Sequence, residues 1–232
     1  MSNVFRLGGV LIAAAICLIH HPAHCEESVS SLRQSLNFLV SNPDYVDLST
    51  IPGVVIDLKY ASSDNFMKEN LYGEWRKAYL HRLAAEKLKV AVALLERQRP
   101  GWKIVVYDAL RPRSVQRKLW ERVKDTARQP YVAEPGKGSI HNFGFAADLS
   151  LLDERGNEVD MGTKHDDFSS LSEPRLEDKF LKSGRLMLVQ VNNRRFLRSI
   201  MTSAGFAQQI NEWWHYDALP AKEVRAKYPI IE

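Results

Sequence analysis

The feature that most constrains this chain is the run Phe145-Ala146-Ala147-Asp148-Leu149-Ser150-Leu151-Leu152. A short apolar run between Gly144 and the turn-forming stretch Asp153 to Asn157 (DERGN) reads as a buried strand. Asp148 sits in the middle of it, and a carboxylate taken out of water is costly unless something partners it. A backbone N–H would serve, and so would a cation. His141 lies seven residues upstream, and Gly144 lets the connecting loop turn so that the two side chains converge. Imidazole nitrogen and carboxylate oxygen are both ordinary zinc ligands.

A second segment, Glu212-Trp213-Trp214-His215-Tyr216, offers a third ligand in His215, with Glu212 three residues before it. Two histidines and one carboxylate leave a fourth position on zinc open for water, the pattern of a catalytic site rather than a closed structural one. Glu212 is then the candidate general base. Taken singly, each piece has a plainer reading. His141 serves equally as a polar loop residue, and Trp213 and Trp214 as core aromatics.

The rest of the chain frames these segments. Ser28 to Val40 has helical character and stops at Asn42-Pro43. Val54 to Leu58 suggests a short strand, and Ala61 to Tyr79 is mostly loop. Ala84, Leu88, Ala91 and Leu95 line one face of a helix over 83–95. Ile104 to Tyr107 is a strand, followed by Asp108-Ala109-Leu110-Arg111-Pro112 and a helix that Pro112 opens and that runs to about Ala127. Asp160 to Pro174 is a polar loop. Leu197, Ile200, Met201 and Ala204 mark a helix over 191–204, with Gly205 as its C-terminal cap. A last strand is expected over 211–217 and a short helix over 220–227. Strands and helices mix without a steady βαβ rhythm, so the expected fold is α+β, a single domain with a central antiparallel sheet flanked by helices.

Residues 1–25 read as a secretory leader: Arg6, then the apolar run Leu7 to Ile19, then Ala23-His24-Cys25 before a cut. The run is shorter than the roughly 20 apolar residues of a membrane span. The expectation is a leader at 1–25, a folded domain at 26–232, export to a periplasm, and no stable membrane insertion after cleavage. Cys17 and Cys25, the two cysteines of the chain, go with the leader, which removes disulfides, a thiol nucleophile and thiolate-bound zinc from consideration. His81, His141, His165 and His215 are the histidines left to a metal site. The net charge of +4 comes without a dense basic stripe, so nucleic acid is not an expected partner.

The paired stretches Ser139 to Asp148 (S-x-H-x-x-G-x-A-x-D) and Glu212 to Tyr216 (EWWHY) resemble the zinc D,D-peptidases, which share a fold with the hedgehog signalling domain. Further stretches are similar to the D-alanyl-D-alanine dipeptidases of the vancomycin-resistance type: Asp57 to Ala61 with Asp64-Asn65-Phe66, Asp108 to Pro112, Met161-Gly162 with Asp166, and Asn193 to Met201 leading to Gly205-Phe206. The resemblance spans roughly residues 50 to 217.

It implies one zinc ion per chain held by His141, Asp148 and His215, with Glu212 as catalytic base. Arg111 would stabilise the oxyanion, although as a residue it also suits a helix start or a salt bridge. Tyr60, Ser139 and Asp166 match positions that hold the substrate's free amino group, with Asp167 the alternative if the loop register slips by one. His81 and His165 match no ligand position and read as surface or loop residues. Two departures bear on the pocket wall: Leu110 stands where an aromatic is frequent, and the stretch from Pro112 to Ser139 is shorter than in the resistance enzymes. The implied substrate is a small D,D-dipeptide. The alternatives are a D,D- or L,D-carboxypeptidase acting on longer wall peptides, and a zinc-containing binding module without catalysis.

Overall fold

A computed structural model describes residues 23–232. In chain order its main elements are α1 (Ala23–Ser41), β1 (Tyr45–Asp47), β2 (Val54–Ile56), β3 (Tyr79–His81), α2 (Arg82–Gln98), β4 (Lys103–Asp108), α3 (Arg113–Val123), β5 (Ala146–Leu152), α4 (Glu177–Lys182), α5 (Leu188–Ser203), β6 (Ala207–Gln208), β7 (His215–Asp217) and α6 (Ala221–Lys227). The expected leader lies outside the described residues except for positions 23–25. Among the described residues no helix is long and apolar enough to cross a membrane.

The apolar run at 145–152 becomes β5, the middle strand of a five-stranded sheet ordered β2-β4-β5-β7-β6. Its pairings with β4 and β7, and that of β6 with β7, are antiparallel. Only the edge pair β2–β4 is parallel. The α+β arrangement of a largely antiparallel sheet flanked by helices is therefore present. A separate two-stranded ribbon pairs β1 with β3.

The helices bury the faces that their spacing predicts. Ala84, Leu88, Ala91 and Leu95 of α2 are fully buried, as are Leu197, Ile200 and Met201 of α5. Each such leucine contributes roughly 1.5–3 kcal/mol by leaving water. The two helices pack on one another. Helix α5 stops where Gly205 takes φ +89°. There Gly205 N–H bonds to Thr202 O at 3.0 Å and Phe206 N–H to Met201 O at 3.0 Å, which satisfies carbonyls the last turn leaves open. Helix α3 ends at Val123, short of the expected 127, and the chain turns through Asp125 at φ +61°.

Gly144 supplies the turn that the sequence assigns to it. Its φ of +75° and ψ of +25° end the short 3₁₀ helix Ile140–Phe143, which carries His141. A Cβ there would lie 3.0 Å from His81 N, 3.1 Å from Tyr45 Cε1 and 3.2 Å from Leu110 Cδ1. A side chain there would be strained by the backbone conformation and crowded by its neighbours. Gly144→Ala is expected to cost about 1–3 kcal/mol in backbone strain alone. Urea unfolding would measure it, and an unchanged midpoint would refute the role given to this turn.

Candidate metal centre and active site

Strand register builds the centre of the site. A bulge between Val106 and Asp108 shifts β4 so that Asp108 faces Asp148 across the β4–β5 pair. On the other side Asp148 faces His215 of β7. Directly opposed residues point to the same face of a sheet, so Asp108, Asp148 and His215 form one row across three strands. The turn at Gly144 then folds His141 back over that row.

His141, Asp148 and His215 present one ligand atom each to a common point. His141 Nε2 lies 3.2 Å from His215 Nδ1. Asp148 Oδ1 lies 3.4 Å from the first and 3.1 Å from the second. Outer partners set which nitrogens face inward. His141 donates Nδ1–H to Ala109 O at 2.6 Å, and His215 donates Nε2–H to Asp217 Oδ1 at 3.0 Å. Two lone pairs and a carboxylate oxygen so close together repel unless a cation lies between them. Buried Asp148 Oδ1 has no hydrogen-bond partner, the orphan that such a cation satisfies. Three ligands at about 2.0–2.1 Å in a tetrahedron stand about 3.3–3.4 Å apart, close to the spacings found. The donor set fits a divalent ion with an open coordination position.

Burial and neighbouring charges act in opposite directions around the cluster. Burial opposes ionisation of Asp148, yet His141, His165 and His215 together hold its carboxyl well below the usual range. Burial likewise opposes protonation of His215, but Asp217 and Asp148 raise it well above the usual imidazole value.

Glu212 reaches the cluster through a turn. The strand expected over 211–217 begins only at His215, because β6 and β7 form a hairpin closed by Gln209 N–H to His215 O at 2.9 Å. The intervening segment packs on a neighbouring loop instead of continuing the sheet. Trp213 N–H bonds to Ser172 O at 3.1 Å, and its indole N–H to Thr163 Oγ1 at 2.8 Å. Both tryptophans are buried. Glu212 Oε2 is thereby held 3.7 Å from His215 Nδ1, with its side chain 12% exposed. Burial is the main cause that pushes its carboxyl up to about 7.

Arg111 follows β4 and turns back into the site. Its Nε and Nη2 both meet Asp108 Oδ2 at 2.7 Å, and its Nη1 donates to Gln116 Oε1 at 2.9 Å. Nη2 also lies 3.5 Å from Asp148 Oδ2. Tyr72 donates to the other oxygen of Asp108 at 2.5 Å, so that carboxylate is held on both sides. A guanidinium has five donors, and Arg111 also lines the cavity.

The loop after β5 supplies the remaining wall. Asp166 takes a left-handed backbone conformation, φ +61°, and accepts a hydrogen bond from Tyr60 OH at 3.1 Å. Burial raises its carboxyl above the usual range, with His165 working against that. Asp167 turns away and accepts the Ser169 N–H at 2.8 Å. Ser139 is buried and caps the 3₁₀ helix that carries His141. Tyr60, Arg111, Ser139, Asp166, Glu212 and the three candidate ligands all line one cavity of about 230 Å³. Its far wall is Pro130 to Ala133, held by Gln116 Nε2 on Ala133 O at 2.7 Å. Leu110 is buried elsewhere, against Gly144, and does not line the cavity.

Of the two histidines expected on the surface or in loops, His165 does stand in a loop but its side chain is buried, and His81 ends β3 at the start of α2. His81 accepts the Leu83 N–H at the start of α2 and stacks on Phe145 at 4.5 Å. The His165 side chain is 4% exposed, with Nε2 3.3 Å from Asp148 Oδ2. Asp217 and Tyr72 were also not singled out by the sequence reading. Asp217 had a usable signal, since two residues past His215 on a strand it shares that face. Tyr72 had none, because it lies in a loop 36 residues before Asp108.

A peptidase M15 family model described as D-Ala-D-Ala dipeptidase matches residues 42–231. The chain is 35% identical over 189 residues to a D-alanyl-D-alanine dipeptidase of Escherichia coli, covering 81% of this chain and 89% of that protein. It is 30% identical to one of Streptomyces coelicolor, over 72% of this chain and 86% of the other. To one of Enterococcus faecalis it is 29% identical, over 71% and 85%.

Two measurements test the centre. Asp217→Ala frees the His215 ring and is expected to weaken divalent-ion affinity about 10- to 100-fold, read by competition with a chromophoric chelator. Affinity should also rise with pH. The raised His215 value means that the ion-free site holds a proton which an ion must displace, so acidification favours the proton. An affinity flat between pH 6 and 8 would contradict this ligand assignment.

Proposed function

The chain belongs to the D-Ala-D-Ala dipeptidase family of metallopeptidases, and on that premise we propose that it hydrolyses D-alanyl-D-alanine to two D-alanines with one zinc ion per chain. The observation that carries this reading is the position of Glu212, 3.7 Å from His215 beside the three converging ligand atoms. The cavity of about 230 Å³ is smaller than the roughly 300–1,000 Å³ of pockets for drug-sized ligands, which suits a dipeptide.

His141, Asp148 and His215 hold the ion. When bound, it supplies a Lewis acid that polarises the peptide carbonyl and acidifies water. Glu212 accepts the proton of the attacking water and passes it to the leaving amine. Burial raises its carboxyl in the ion-free site, and a cation beside it would favour the ionised form that accepts the proton. Arg111, locked by Asp108 and Gln116, stabilises the charge that grows on the carbonyl oxygen. Asp166, backed by Tyr60, pairs with the substrate's ammonium, and Ser139 adds a polar contact beside it. A carboxylate buried at that end favours a free N-terminus over a longer peptide, which sets a dipeptidase apart from a carboxypeptidase.

Export belongs to the same proposal. With residues 1–25 as a leader and 26–232 as one enzyme domain, the protein works in a periplasm on D-Ala-D-Ala or wall-derived peptides.

The test compares release of D-alanine from D-Ala-D-Ala and from its N-acetylated form. Cleavage confined to the free dipeptide is expected. Equal or better cleavage of the blocked form would move the protein to the carboxypeptidases, and cleavage of neither with zinc bound would favour a binding module. Glu212→Gln should lower kcat by at least about 10²- to 10⁴-fold with zinc content unchanged.

A further inference from the structure

The two oxygens of Asp148 have different surroundings. Oδ1 faces His141 Nε2 and His215 Nδ1 and has no hydrogen bond. Oδ2 is met by His165 Nε2 at 3.3 Å and by Arg111 Nη2 at 3.5 Å. His165 is not one of the three converging ligands. It approaches the oxygen that those ligands leave over.

The imidazole is itself held in place. Its ring packs at 5.3 Å from Tyr107, 5.4 Å from Trp214 and 6.3 Å from Tyr60, and its Nδ1 lies 3.5 Å from Asp166 Oδ2. The loop that carries it is fastened from below. Arg194, fully buried, donates to Met161 O at 2.6 Å, Leu171 O at 2.8 Å and Thr163 Oγ1 at 3.2 Å. A ring fixed this way can fix what it touches.

We propose that His165 is a positioning residue for the metal centre: by donating Nε2–H to Asp148 Oδ2 it makes Asp148 a one-oxygen ligand and turns Oδ1 toward the ion. The proposal deepens the reading above and rests on its ligand set. It gives His165 no contact with substrate. Outer partners of this kind orient a ligand and stiffen the site, and their loss commonly weakens metal binding 10- to 100-fold.

Three variants separate this role from space filling. His165→Phe keeps a ring and removes both nitrogens. His165→Gln can bring an amide N–H near the position of Nε2, whereas the shorter His165→Asn reaches only that of Nδ1. Zn²⁺ affinity of the ion-free proteins is measured by chelator competition, alongside circular dichroism for the fold and kcat and KM for D-Ala-D-Ala. The expected result is a 10- to 100-fold loss of affinity in the Phe variant, recovery to within about threefold in Gln, and no recovery in Asn. Wild-type affinity in a folded Phe variant would overturn the proposal. Should the Phe variant fail to fold, Gln and Asn decide, and equal affinities in those two would overturn it. If the wild-type protein binds Zn²⁺ but leaves D-Ala-D-Ala intact while the affinity pattern holds, the substrate reading falls and the role of His165 stands.

Discussion

Asp148 is a carboxylate in the middle of a buried strand, and the rest of the site is organised around its charge. Its side chain is 4% exposed, so water does little to stabilise it. Three imidazoles and a guanidinium approach it instead. They arrive from four directions: His215 across the β5–β7 pair, His141 over the turn at Gly144, Arg111 from the end of β4, and His165 from the loop after β5. Four separate elements of the fold thus bring a nitrogen-bearing side chain to this one anion.

The balance of charge also explains why the centre calls for an ion. Asp108, Asp166, Glu212 and Asp217 stand around the same small space. Asp108 is answered by Arg111 and Tyr72, and Asp217 by His215. Glu212 has His215 at 3.7 Å, too little to offset the burial that raises its carboxyl. A divalent cation beside Asp148 Oδ1 relieves the acidic excess and the repulsion between two inward lone pairs together. Rigidity comes from the scaffold: the central row lies on paired strands, and the loop bearing His165 and Asp166 is tied to α5 by Arg194. Three oxygens pointing at one buried guanidinium suit its planar fork of donors, a geometry that lysine does not reproduce.

Much of this was legible from residue order. The apolar faces of α2 and α5, the buried strand with its stranded carboxylate, the turn at Gly144 and the cap at Gly205 are local consequences of side-chain period and backbone freedom. The candidate residues His141, Asp148, His215, Glu212, Arg111, Tyr60, Ser139 and Asp166 could be named because two short motifs and several flanking stretches carry them. His165 stands in a loop as expected, but its side chain is buried, and nothing nearby in the sequence signals that burial. A polar loop rich in Asp and Ser looks solvated in sequence whether or not an arginine from a distant helix pins it down.

What the sequence by itself determined is the set of reactive groups and the local elements that bear them, because periodicity, capping and turn formation act over a few residues. What only the tertiary structure decided is which groups meet. The bulge in β4 sets Asp108 opposite Asp148, the β5–β7 register sets Asp148 opposite His215, and the hairpin turn carries Glu212 over both. Register and loop packing depend on contacts between segments tens of residues apart, whose energies come from burial and hydrogen bonding across the whole core. A shift of one residue in a strand would send the same side chains to the opposite face.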